Sequence, residues 1–148
     1  HHRRTLLGNT GTPTSPPANS LLAALPADLR AVMKAVTKYS DNTGGGNNTA
    51  SYVTSTTDYL FELAEFEYHG ARTYANSAEQ NYQQQYAYYQ AGNSKIHYKH
   101  NATGTAAYVW CRSVYAGHTN IFCLVDAGGG AISNGANGSW GVAPGFAA

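Results

Sequence analysis

The stretch that decides the fold is residues 106–148, AAYVWCRSVYAGHTNIFCLVDAGGGAISNGANGSWGVAPGFAA. Ala106–Arg112 and Ile121–Asp126 are β-prone runs separated by Ser113–Asn120. The Gly-rich turn Asp126–Ala131 follows, then the small-residue segment Ile132–Ser139, which leads to Gly141 and Val142. This pattern predicts three short antiparallel strands joined by turns, with Cys111 and Cys123 on the first two. Two cysteines in a chain of 148 residues are no disulfide framework; a Cys111–Cys123 bridge stays open, and buried thiols on neighbouring strands are the preferred reading.

Upstream, Thr10–Ser20 is a Pro- and Ser-rich loop. Leu25, Leu29, Val32, Met33 and Val36 recur at helical spacing behind Pro26, which predicts an amphipathic helix over 25–36. Tyr39–Ser51 is a Gly/Asn loop expected to be mobile. Tyr59–Leu63 reads as a buried strand, and Ala64–His69 as a helical turn stopped by Gly70. Ser77–Gln80 has capping-box spacing before a Tyr-rich helix over 81–90, ended by Ala91-Gly92-Asn93. Lys95–His100 reads as a strand. The opening His1-His2-Arg3-Arg4 carries no initiator methionine and no apolar signal core. Residues 1–20 are therefore expected to be a linker or the continuation of a preceding element, the two histidines being otherwise a tag remnant. A single domain is expected over 21–148.

Composition narrows the function. A formal charge of +1 supplies no basic stripe, which argues against nucleic acid as a partner. Apolar runs are far too short to insert into a membrane. Charged residues make up 11% of the chain against a globular norm of about 25%, while tyrosines number twelve. Such a balance suits a hydrogen-bonding contact surface on a loop-rich scaffold.

The ordered motifs Val109-Trp-Cys-Arg-Ser113, Phe122-Cys-Leu-Val125, Gly128-Gly129 and Gly141-Val-Ala-Pro-Gly-Phe146 resemble the C-type-lectin-like domain family. Its members carry a Trp-Trp-x-Arg-Ser-Pro strand, a Phe-Cys/Ala-x-Val strand and a terminal Gly-Val-Arg-Pro-Ala-Phe. The Leu25–Leu29 and Asp58–Phe66 stretches are similar to that family too, so the resemblance covers roughly residues 20–148. Here Val109, Val114, Ala143 and Gly145 stand where the family has Trp, Pro, Arg and Ala. The resemblance implies an α+β, C-type-lectin-like fold of short helices and small antiparallel sheets. It further implies a non-enzymatic receptor-recognition domain of a phage tail or bacterial surface protein, such as the variable protein of a diversity-generating retroelement. The partner would be a protein or glycan receptor on a cell surface, with no cofactor and no metal; a homo-oligomer stays open.

The genetic code supports a diversified surface. Mutating the adenines of an AAY asparagine codon reaches most residue types but never Lys, Glu, Gln, Met or Trp. None of those five occurs in Ser113–Ser139. Expected ligand-contact residues are Val109, Cys111, Ser113, Val114, Tyr115, His118, Asn120, Ile132, Asn134, Asn137 and Trp140, with Trp110, Arg112, Phe122, Val125, Val142 and Phe146 as framework. Trp110 is expected in the core and Arg112 buried on carbonyls.

Other chemistries fit poorly. Asp126 is the sole carboxylate in residues 101–148, which disfavours a lectin-type calcium site. Gly128–Gly130 is followed by no Lys-Ser/Thr pair and so makes no phosphate loop. His97 and His100 would fall on opposite faces of a strand, which is unsuited to sharing a metal. Glu62, Glu65 and Glu67 read as one face and one edge of a short segment. The alternative function is a fixed assembly module of a phage tail or surface fibre. Formylglycine-generating enzymes, with a related fold and an active cysteine pair, invite comparison through Cys111 and Cys123. Flanking β-prone and aromatic residues speak against reactive thiols there.

Overall fold

A computed structural model describes residues 2–148. It is a small α+β structure of short helices and small, mostly two-stranded sheets. Two compact units are present. The first comprises the chain up to Lys38, Ser55–Glu62 and Pro144–Ala148; the second comprises Tyr39–Thr54 and Leu63–Ala143. The strands β1 (Val36–Asp41) and β2 (Val53–Asp58) form a two-stranded sheet.

In the first unit, residues 2–20 are folded in and do not trail as a linker. A π-helical turn, His2–Leu6, delivers Leu7 into the interior, 1% exposed. The Asn9 side chain accepts hydrogen bonds from the Tyr59 and Leu60 amides and donates one to the Leu60 carbonyl. Ser20 caps helix α1 (Leu21–Ala24) by accepting from the Ala23 amide. The helix expected over 25–36 is shorter: α2 covers only Ala27–Val32, behind Pro26. None of its residues is buried, and Val32 is 55% exposed. Met33 leaves the helix in an extended conformation and is buried there, while β-branched Val36 opens β1. Strand β3 (Phe61–Glu62) pairs antiparallel with β9 (Pro144–Gly145), so the terminal strand is a two-residue ladder plus a bridge from Ala147 to Lys34.

The second unit is built on a three-stranded antiparallel sheet in the order β6 (Val109–Val114), β7 (Ile121–Val125), β8 (Ala131–Gly135). Side chains alternate across it. Val109, Cys111, Cys123 and Val125 join Tyr68 and Ala75 in the core. On the opposite face Trp110 meets Phe122 edge-on at 6.2 Å, and Ile132 lies across from Leu124. The strand expected over 106–112 is divided at Tyr108: the hairpin of β4 (His97–Lys99) with β5 (Ala102–Ala107) ends, and β6 begins.

Helix α3 (Glu65–His69) stops where expected, at Gly70, whose φ of 64° is left-handed. A Cβ at Gly70 would stand 2.4 Å from the Gln85 side-chain oxygen. The helix expected over 81–90 is confined to α4 (Ala87–Gln90), with a 3-10 turn over Ser77–Asn81. Residues between them are bound to α3 instead, through the Tyr86 backbone amide on the Glu67 carbonyl and the Gln85 side-chain NH2 on the Tyr68 carbonyl. That tertiary hydrogen bonding outweighs local helix propensity.

Candidate functional site

Beneath the loops of the second unit lies a network of buried carboxylates. Six of the chain's eight acidic residues are buried: Asp41, Asp58, Glu62, Glu65, Glu67 and Glu79. Ionised carboxylates persist in an interior only when hydrogen-bonded or paired, and the four in this unit are so provided. Glu65 accepts from the backbone amides of Thr73, Tyr74 and Ala75 at 2.7–3.2 Å. The Glu65 amide donates to Ser113 Oγ, whose hydroxyl donates to Glu79 at 3.0 Å. Glu79 also accepts from the Asp41 amide at 2.7 Å. Asp41 in turn gathers the Thr43 and Gly44 amides, the Thr43 hydroxyl and the Asn76 side chain. Asn76 receives the Thr49 and Ala78 amides.

Arg112 completes the network. Two of its N–H groups grip the Glu67 carboxylate, Nε donates to Ser40 Oγ at 2.7 Å, and one N–H reaches the Tyr39 carbonyl. The expectation that Arg112 bonds carbonyls is therefore extended: its main partner is a carboxylate in fork geometry. The two ends of the Asp41–Glu79 link titrate differently. Burial pushes the Glu79 carboxyl up, and the bonds from Asp41 and Ser113 do not offset it. Burial also opposes ionisation of Asp41, but the bonds from Thr43, Asn76 and Gly44 outweigh it and hold that carboxyl below its ordinary value.

This base fixes the loops above it. Tyr115 follows the end of β6, its amide bonded to the Ile121 carbonyl at 2.9 Å. The Ala116 amide donates to the Tyr74 carbonyl at 2.8 Å, and the His118 amide to the Tyr115 carbonyl at 3.0 Å. The Tyr115 ring stacks on His118 with centroids 4.3 Å apart and meets Tyr74 edge-on at 5.2 Å. The expected mobile loop is tied down beside it. Gly44, at φ 72°, packs so closely that a Cβ there would lie 2.4 Å from the His118 carbonyl oxygen.

Of the expected contact residues, Tyr115, His118 and Asn120 come together on this loop. The Ala136 amide bonds the Asn120 carbonyl at 2.8 Å, which sets the turn carrying exposed Asn137 alongside. Asn134 is exposed at the same end of β8, while Ile132 is half-buried opposite Leu124. Four expectations are corrected. Val109, Cys111, Ser113 and Val114 are 3%, 2%, 0% and 6% exposed, so they are core residues and reach no ligand. Strand alternation sends Val109 and Cys111 into the core, and Ser113 serves the carboxylate network. Trp110 is buried as expected, whereas Trp140 is exposed and stands beside Tyr108. Gly141 pairs with Val109, placing this second aromatic pair towards the other end of β6 from Tyr115.

Sequence reasoning missed Asp41, Glu65, Glu67, Glu79 and Asn76 as the base, and Tyr74 and Tyr108 as ring neighbours of Tyr115 and Trp140. Two signals were present: Asp41 before Thr43-Gly44 is an Asx-turn pattern, and three of the scarce acids crowd into residues 62–67. Asp126 spends Oδ1 on the Gly128 and Gly130 amides within its turn. Both cysteines are buried, and burial drives the Cys123 thiol far above its ordinary value. Among the described residues no three His, Cys, Asp or Glu side chains group as a metal site, and no helix is long and apolar enough to cross a membrane.

No curated protein and no solved structure gives a match to the chain. Residues 18–147 match the family model described as a domain of unknown function, DUF6273, and the chain belongs to that family.

Proposed function

We propose that the chain is a non-enzymatic ligand-binding domain on a C-type-lectin-like scaffold. In this reading it is the variable domain of a diversity-generating retroelement target, shown on a phage tail or bacterial surface, that recognises a protein or glycan receptor. Tyr115, His118, Asn120, Asn134 and Asn137 supply the contact surface. The observation that carries the reading is the stacked Tyr115–His118 pair, held on a loop whose backbone is bonded to Tyr74 and Ile121. Rigid aromatic side chains with polar tips contribute large contact area at low entropic cost, and main-chain anchoring lets them vary without unfolding the loop.

Two measurements test it. Sequencing this gene across its source population should find substitutions confined to adenine-templated codons at 115, 118, 120, 134 and 137, with Trp110 and Gly141–Phe146 fixed. A uniformly invariant 3′ end removes the retroelement reading. Separately, Tyr115→Ala with His118→Ala should abolish binding of the labelled chain to whole bacterial cells. The melting temperature should hardly move, because the loop's main-chain bonds survive; a large loss of stability with binding intact refutes the site.

A further inference from the structure

A second group of exposed aromatics stands apart from the Tyr115 loop. Tyr108 and Trp140 are 37% and 38% exposed, with ring centroids 5.1 Å apart and planes inclined at 43°. Their positions are built in. The Gly141 amide donates to the Tyr108 carbonyl at 2.8 Å, and the Trp110 amide to the Gly141 carbonyl at 3.0 Å, which fixes the main chain next to Trp140. A Cβ on Gly138 would lie 2.5 Å from the indole Nε1, so glycine at 138 leaves the ring its place. Large aromatic surface held in water by a fixed backbone marks a contact site.

The surroundings select the ligand. Neither residues 101–111 nor residues 127–143 contain an Asp, Glu, Lys, Arg or His. At ordinary globular usage about a quarter of such residues would be charged. Nucleic acid, phosphorylated ligands and acidic peptides need cations, and these two segments offer none. What they expose is amide and hydroxyl: Thr103, Thr105, Asn134, Asn137 and Ser139, the last adjoining Trp140. A matching ligand has apolar C–H faces to lie on aromatic rings, many hydroxyl groups and no net charge.

We propose that Tyr108 and Trp140 form a calcium-independent platform for a neutral polysaccharide. Sugar rings lay their C–H faces on the indole and phenol, and Ser139, next to Trp140, takes hydroxyl groups. Calcium has no part, since Asp126 is the sole carboxylate in residues 101–148 and is engaged with its own turn. The platform goes beyond the Tyr115 loop and stands without it.

The test is native electrophoresis of the full chain through gels containing hydroxyethylcellulose, galactomannan or mixed-linkage β-glucan, with EDTA present and polygalacturonate as the charged comparison. At least one neutral polymer should retard the protein. Trp140→Ala and Tyr108→Ala should weaken that retardation at least tenfold, and Trp140→Phe should keep most of it. The Tyr115→Ala/His118→Ala variant should be retarded like the wild type, which separates this site from the loop. Thermal melts of each variant show that it is folded. Trp110 is buried, so the ligand should blue-shift an emission component that disappears in Trp140→Phe. Absence of retardation by all three neutral polymers overturns the proposal, as does retardation by polygalacturonate alone or retardation that survives Trp140→Ala. Sedimentation showing self-association that Trp140→Ala abolishes, without polysaccharide binding, identifies the patch as a contact between copies and overturns it too.

Discussion

Glu65 offers the sharpest test of how the loops are held. Its carboxylate, 1% exposed, is the acceptor for the consecutive amides of Thr73, Tyr74 and Ala75. Replacing Glu65 by alanine leaves those donors without that acceptor. A buried orphan costs about 1–3 kcal/mol; the Ala75 bond is fully buried and the other two are partly wetted, so the sum is about 4 kcal/mol. For a chain of this size, each kcal/mol lowers the melting temperature by about 2–4 °C. Glu65→Ala should therefore melt roughly 8–16 °C below the wild type. Glu65→Gln keeps one oxygen where Oε1 stands, which receives all three amides, and should lose only about 1–2 kcal/mol of charge assistance. Circular dichroism melts give the shifts. Hydrogen exchange adds a local readout, because the Ala116 amide is bonded to the Tyr74 carbonyl and should lose protection in Glu65→Ala. A shift below about 3 °C, or equal damage from glutamine and alanine, would refute the staple.

Three further outcomes follow from the same geometry. Burial holds His69 and His97 below the ordinary imidazole value, so stability present above pH 6.5 is lost as pH falls and the unfolded chain takes up protons first; melts from pH 7.5 to 5 should drop less steeply in His69→Gln/His97→Gln than in the wild type. Gly44→Ala should destabilise by more than about 1 kcal/mol, since its left-handed φ and the His118 carbonyl both oppose a Cβ; a neutral melt would contradict the packing at that point. Cys111 and Cys123 should resist Ellman's reagent in the native protein and react at once in guanidinium, since they are buried and burial raises the Cys123 thiol; rapid native modification would revive an enzymatic reading.

The last third of the chain was legible because its strands are short, β-branched or aromatic, and separated by turn residues. Gly70 was legible because a helix end favours a left-handed residue. The helix over 25–36 misled because Leu25, Leu29, Val32, Met33 and Val36 satisfy helical spacing, yet Met33 finds burial only by leaving the helix. The exposure of His118, Asn120 and Asn137 was legible because turn chemistry marks exposed positions. Val109, Cys111, Ser113 and Val114 were misplaced because a strand between core and solvent has no sequence label for its faces until its partners are known. The carboxylate base was the least legible part: Glu65 bonds residues 73–75, Glu79 bonds residue 41, and Arg112 joins residues 39, 40 and 67. Nothing local announces such pairings.

The main-chain fastening of the Tyr115 loop has an evolutionary consequence. Every non-proline residue type brings the same amide and carbonyl, so the bonds from Tyr115 to Ile121, from Ala116 to Tyr74 and from Ala136 to Asn120 are indifferent to what the side chains are. A lineage can therefore explore new residues at 115, 118, 120 or 137 without re-evolving the loop. Glu65, Asp41 and Gly44 pay for that freedom by being fixed themselves. Mutational tolerance and intolerance should then be sharply partitioned over a few ångströms, with the permissive positions outermost.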